Sequence, residues 1–365
     1  MNVKIYHWIC KVLLSLVLVS SLLFSAGCNS KKKSAGLFGA TGKPLDMVVI
    51  LPNNYDNDDV KDSIRNIFEK PVMILPQIEP MQSLMFTTQQ NFVSMFKTMR
   101  NVLYISIDPE KYSRPKITIS KDDYAEGQII IHAKAESLEA FYYLLQQKGE
   151  YLSQMIYNEE LSRLSKSLET TYASAVTKMV EDSIGGVTIN PRVGLEFVTG
   201  QKDFVWASDQ GGLKKGRSDI IVYSFPYRDR SDVTFSVEYL VHKRDSVMKR
   251  NLHGQYPNSY MTTEKIVTPV LKKYKMNDEF RAEMRGLWAM EGDMMGGPFV
   301  SHAILDADAK RVIVAEVLVF HPHDTKRNLL LYNEAALYTF RLEGTDFTTH
   351  SGQDEDKGNK DLDNE

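Results

Sequence analysis

Apolar and polar positions alternate in blocks along this chain, and each block predicts an element. Met47 to Leu51 is a continuous apolar run closed by Pro52, the pattern of a buried strand. Val60, Ile64, Ile67 and Phe68 then recur at helical spacing behind Asp56, Asp58 and Asp59, acids that suit a helix N-terminus, with Pro71 past the end. Strands are predicted at 84–88, 102–107, 117–120 and 128–133. From Leu138 the helical spacing runs through Phe141, Leu145, Leu152 and Ile156 and on to Leu161, Leu164, Leu168, Tyr172, Val176 and Met179, with Ser137 as the N-cap. A break near Asn158 would divide this region into two packed core helices.

The second half repeats the rhythm. Phe197, Phe204 to Ala207 and Ile220 to Phe225 read as strands, and Val237, Leu240, Val241 and Met248 share a helical face. Strands follow near 266–271 and 280–290. Phe299 to Leu305 and Val312 to Phe320 form a hairpin turning on Asp306-Ala307-Asp308, and a last helix carries Leu329, Tyr332, Ala336 and Phe340. The fold class predicted is α+β, with two similar modules of antiparallel-rich sheet and packed helices and a long helical region between them. The modules span 46–183 and 184–343, flanked by a tether at 28–45 and an acidic, disordered tail at 344–365.

The first thirty residues differ from the rest. Lys4 and Lys11 precede the uncharged run Val12 to Phe24, thirteen residues where a membrane-spanning helix needs roughly 20, and Ser25-Ala26-Gly27 supplies a small-residue cleavage site. Residues 1–27 therefore read as a secretion signal. Phe24-Ser25-Ala26-Gly27-Cys28 resembles the lipobox of bacterial lipoproteins, which implies acylation of Cys28 and cleavage before it. Cysteine usage agrees, because Cys10 lies in the signal and Cys28 is the single cysteine left after cleavage. Lys31, Lys32 and Lys33 follow in a Gly- and Ser-containing stretch that suits a tether near anionic lipid.

Composition narrows function by exclusion. Of 365 residues 43% are hydrophobic and 25% charged, enough for a substantial core, and the net charge of −3 gives no basic footprint for nucleic acid. Gly36, Gly39, Gly42 and Lys43 miss the phosphate-loop spacing, with Pro44 where Ser or Thr would reach magnesium. Asn54, Asp56 and Asp58 start like a calcium loop, but Asp59 replaces the turn glycine and Arg65 the bidentate glutamate. His321, His323 and Asp324 could converge on a metal at a strand end, yet the set is incomplete and reads first as a polar connection to the last helix. The glycines between Gly286 and Gly297 form either a bulged connection with Trp288 in the core or a ligand or partner loop made of Trp288, Gly292, Asp293, Gly296, Gly297 and Phe299.

At these residues the chain resembles a family of Bacteroidetes lipoproteins known as domain of unknown function 4837. The resemblance rests on the lipobox, on Gly292-Asp293-Met294-Met295-Gly296-Gly297-Pro298-Phe299, and on Lys326-Arg327 ahead of Tyr332-Asn333-Glu334-Ala335-Ala336-Leu337-Tyr338. It implies a lipoprotein and carries no activity and no site. The function expected is a lipid-anchored cell-envelope protein, on the periplasmic side of the outer membrane, that binds an envelope protein or polymer without catalysis and without a cofactor. The alternatives are a metal-dependent hydrolase of envelope material using His321, His323 and Asp324, and a small-ligand binder at the glycine-rich loop.

Overall fold

The first strand is apolar on both faces because it is buried on both. In a computed structural model that describes residues 36–211, 214–228 and 232–345, β1 (Asp46–Leu51) lies inside a five-stranded sheet of order β2-β1-β3-β5-β4, with β2 (Ser83–Thr88), β3 (Asn101–Ile107), β4 (Lys116–Lys121) and β5 (Ile129–Ala135). Met47, Val49 and Leu51 pack under α1 (Asp58–Phe68) and α2 (Leu138–Ser167), while Val48 and Ile50 pack against Met99, Val102 and Ile130 on the other side. The signal, Cys28, the tri-lysine and all but the first two residues of the acidic tail lie outside the described residues.

The larger sheet is antiparallel throughout. Its order is β10-β12-β13-β14-β9-β8-β7, comprising β7 (Phe197–Gln201), β8 (Phe204–Ser208), β9 (Arg217–Pro226), β10 (Tyr260–Thr263), β12 (Glu279–Glu291), β13 (Gly296–Asp306) and β14 (Arg311–Phe320). The thirteen-residue β12 is long enough to pair with β10 near its C-terminal end and with β11 (Val270–Met276) near its start. One face is covered by α3 (Ser174–Ser183) and α5 (Arg327–Glu334) and the other by α4 (Val237–Asn251). A short ribbon pairs β6 (Val187–Thr188) with β15 (Arg341–Leu342).

The α+β class holds, and the two halves differ both in strand direction and in the number of strands that precede the first sheet-packed helix, one in the first half and several in the second. In the smaller sheet β1 runs parallel to β2 and β3, and β3 parallel to β5, leaving β4 as its one antiparallel member. Parallel neighbours need crossovers, and α1 supplies the first.

Three boundaries move. The tether expected over 28–45 ends sooner, because Ala40 N donates to the Glu126 carbonyl, Thr41 N donates to that of Thr98, and Leu45 is wholly buried. The long helix passes Asn158 without a break, and the half-buried Asn158 side chain accepts a hydrogen bond from Gln154 one turn earlier. Thirty residues make about 45 Å of helix. The chain bends instead after Leu168, so α3 packs with the larger sheet rather than with the first module. The strand expected from Ile266 begins only at Val270, and Ile266 itself is exposed.

Charge is buried within this framework. Arg244 on α4 donates to both carboxylate oxygens of Glu316 on β14, at 2.9 and 2.7 Å, with neither side chain exposed, and its guanidinium lies 4.1 Å from the Phe299 ring. Burial pushes the Glu316 carboxyl up, with Arg244 opposing. Glu160 on α2 plays a similar part in the first half, accepting from Asn101, Arg100 and Arg163 at 2.8, 2.9 and 3.0 Å.

Candidate functional site

The histidines that close β14 diverge. His321 is buried, its Nδ1 stands 3.2 Å from the Thr325 carbonyl, and the ring fills space that a side chain at Gly216 would need. His323 and Asp324 point to solvent. Asp324 accepts the Thr325 amide at 2.7 Å, and this bond holds its carboxyl below the usual range. Among the described residues no group of three His, Cys, Asp or Glu side chains is arranged to hold a metal ion.

What this connection does is mechanical. The buried carboxylate of Glu79 accepts the amides of Lys326 at 2.7 Å and Arg327 at 2.9 Å, supplying acceptors to the free N–H groups that begin α5. The Lys326 ammonium is bonded to Gln77 and to the Asp324 carbonyl, and Arg327 reaches the Pro80 carbonyl and Ser83 Oγ. The dipeptide noted in the family resemblance thus ties the last helix to residues 77–83 of the first half.

The glycine-rich segment is a hairpin tip between β12 and β13. Trp288 and Phe299 are core residues, and the indole N–H donates to the Val319 carbonyl at 3.2 Å. A Cβ at Gly297 would stand 2.0 Å from that same carbonyl oxygen, so the glycine lets β13 pass close to β14. Gly292 takes φ +76° in the turn, Asp293 accepts the Met294 amide at 2.7 Å, and Met294 is fully exposed. Of the six residues expected to form a loop site, Trp288, Phe299 and Gly297 are inside the fold; Gly292, Asp293 and Gly296 remain at the tip.

Two clusters escape sequence reading. The first lies buried where α2 and α5 meet the larger sheet. Glu334 accepts from Tyr157 Oη at 2.7 Å and from both terminal nitrogens of Arg285, whose Nε donates to Glu283 at 2.7 Å; Tyr274 Oη donates to Glu283 at 3.2 Å. His302 completes the group, opposite Glu283 in the β12–β13 register. Burial pushes the hydroxyls of Tyr157 and Tyr274 up, and burial holds the His302 imidazole down, toward its neutral form. The Arg281, Glu283, Arg285 alternation reads in sequence like a solvated strand face, and the packing of residues 334–340 and of Tyr157 from α2 over it is what buries it.

The second cluster lies on the face of the smaller sheet turned away from α1 and α2. Thr118, His132 and Tyr104 are neighbours across β4, β5 and β3. Ser120 Oγ donates to Asp123 Oδ2 at 2.6 Å, and His132 Nε2 lies 3.3 Å from the same Oγ. Because the Ser120 hydroxyl directs its proton at the Asp123 carboxylate, it does not donate that proton to His132. Tyr104 sits 5.8 Å from the His132 ring and 6.0 Å from Phe92; Phe92 in turn contacts Tyr124, with the Lys97 ammonium 5.5 Å from the Tyr124 ring. Burial first, and then Lys134, hold His132 down. Half-exposed aromatic faces beside a hydroxyl, a carboxylate and an imidazole make a surface that can stack and hydrogen-bond at once.

Residues 172–339 match the model of a family described as a domain of unknown function, DUF4837, and residues 40–169 match that of another, DUF8532. The division falls at the bend between α2 and α3. No curated protein matches the chain. Among solved structures, the Saccharomyces cerevisiae Ran-binding protein Mog1p is similar at 11% identity, over 43% of this chain and 90% of that one, with a TM-score of 0.28. A mutant of the protein Mog1 is similar at 10% identity, over 43% and 91%, with a TM-score of 0.27.

Proposed function

We propose that this member of the DUF4837 family is a lipid-anchored protein of the bacterial cell envelope that works by binding rather than by catalysis. Cys28 carries the anchor, the lysines after it lie near the headgroups, and the body faces the periplasm from the outer membrane. The observation that supports anchoring is the lipobox with Cys28 as the single cysteine beyond the signal. More than one acyl chain gives lasting attachment, at about 0.8 kcal/mol for each buried CH₂.

The face that suits binding is the outer side of the smaller sheet. Tyr104, Tyr124 and Phe92 offer ring surface beside Ser120, Asp123 and His132, a mixture fitted to an envelope polymer rich in hydroxyl groups. His321, His323 and Asp324, which a metal-dependent hydrolase would need together, point apart.

Fractionation tests the anchor. Cys28→Ser should leave unprocessed precursor or soluble protein, and a variant that stays on the membrane and is still cut before residue 28 refutes the lipoprotein reading. Cosedimentation with isolated cell-wall polymer tests the face. Tyr104→Ala with Tyr124→Ala should lose sedimentation while keeping the melting temperature within a few degrees; undiminished sedimentation rules that face out.

A further inference from the structure

We infer that the ligand of the smaller sheet's outer face is an acidic glycan, with a sugar carboxylate held between Lys116 and Lys134. The inference rests on the reading of that face as the binding surface and adds the charge of what it binds. Lys116 on β4 stands directly opposite Lys134 on β5 in the antiparallel register, so both side chains leave the same side of the sheet. It is the side of Thr118 and His132, the next pair on that face, and Ser106 on β3 extends the row of the lysines.

Like charges directly opposite in a ladder are destabilising, because their Cβ atoms lie only about 4.5–5.5 Å apart. Among the described residues neither lysine enters an ion pair. Asp108, which follows β3, is taken by Lys111 at 2.8 Å, and Asp123 accepts from Ser120 at 2.6 Å. Lysines on an edge strand hinder pairing with a second sheet, which accounts for Lys116 on β4. Lys134 has no such reason to be there, because β5 lies between β3 and β4.

The counter-charge for this pair therefore comes from outside the chain. A carboxylate can accept from both ammonium groups in charge-assisted hydrogen bonds and relieve their repulsion. Thr118 and His132 beside them offer hydrogen bonds to the hydroxyls of the same sugar, and Tyr104, 5.8 Å from the His132 ring, offers an apolar face. Lys97, 5.5 Å from the Tyr124 ring and 5.9 Å from that of Phe92, adds a cation for a further carboxylate of a repeating polymer. With a net charge of −3 the protein has no general attraction for polyanions, so recognition depends on this local arrangement.

Polygalacturonate and its methyl ester test the inference, since the two chains share their sugars and differ in carboxylate charge. The purified full-length protein in low salt should bind polygalacturonate at least about tenfold tighter than the ester, as two charge-assisted hydrogen bonds allow. Lys116→Gln with Lys134→Gln should abolish that difference without weakening binding to the ester and without lowering the melting temperature. Lys272→Gln with Lys273→Gln, at exposed lysines of β11, should bind as the parent does; an equal loss there overturns the inference in favour of unspecific attraction. Equal affinity of the parent for both chains overturns the charge assignment and leaves the face standing as a binding surface. Tighter binding of polyphosphate than of polygalacturonate overturns it too and makes phosphate the occupant. No binding of either glycan overturns the face and the inference together.

Discussion

Glu283 and His302 face each other across β12 and β13, with Oε2 and Nε2 3.6 Å apart and the imidazole wholly buried between the rings of Tyr274 and Tyr338. Neither ring nitrogen of His302 has a hydrogen-bond partner within the described residues. Around it stand Arg281, Glu283 and Arg285 on β12, Tyr274 on β11, Glu334 on α5 and Tyr338 just after it.

That setting makes stability depend on pH with a definite sign. Burial favours neutral His302, so its folded pKa lies below the ordinary 6.5. The unfolded chain takes up a proton first as pH falls, and the stabilisation, complete above about pH 6.5, is lost below it at up to about 1.4 kcal/mol per pH unit. Urea titrations between pH 7.5 and 5 should show this slope in the parent and a flatter one in His302→Gln. Parallel curves would remove His302 as the cause.

Breaking the Arg244–Glu316 pair from one side leaves a charge in the core. Glu316→Gln should cost about 3–5 kcal/mol. Converting both partners, Arg244→Met with Glu316→Leu, should recover most of the loss, because the apolar pair no longer needs solvation. Equilibrium unfolding of the three variants measures it. A single-variant cost under about 1 kcal/mol would mean that water reaches the pair.

Gly297→Ala forces a methyl toward the Val319 carbonyl that Trp288 also uses. Overpacking of this kind costs about 1–3 kcal/mol, and the strained hairpin should shift tryptophan emission to the red. An unchanged unfolding midpoint would show that β13 has room to move.

His321 and His323 should respond unequally to alanine. His323→Ala should stay within about 0.5 kcal/mol of the parent, whereas His321→Ala removes a buried bond and should cost about 1–2 kcal/mol. Added zinc should leave both melting temperatures in place. A stabilisation by zinc that the double variant abolishes would restore the metal reading.

The strands and helices were legible wherever one face met water and the other the core, as in α1, or where a run was buried on both sides, as in β1. Strand direction was not, because a continuous apolar run looks the same whichever way its neighbour runs; the pairing of β1 with β3 depends on a crossover through 89–100. Asn158 misled as a helix breaker, since its effect is decided by the bond to Gln154. The buried network around Glu283 was hidden for a related reason. Alternating Arg281, Glu283 and Arg285 signals a polar face, and only the tyrosines 157, 274 and 338, scattered over three segments, hinted that the face is covered.

The carboxylate that caps α5 comes from Glu79, 247 positions before Lys326. A helix whose first amides are satisfied from so far away cannot be completed while the intervening chain is open, and loop closure of that length must precede the contact that rewards it. The boundary near residue 170 between the two family matches is therefore bridged in the folded molecule by the contact of Glu79 with Lys326 and Arg327. A chain stopped before Lys326 would leave Glu79 buried without its partners, and surveillance proteases would meet it as an unfinished first half.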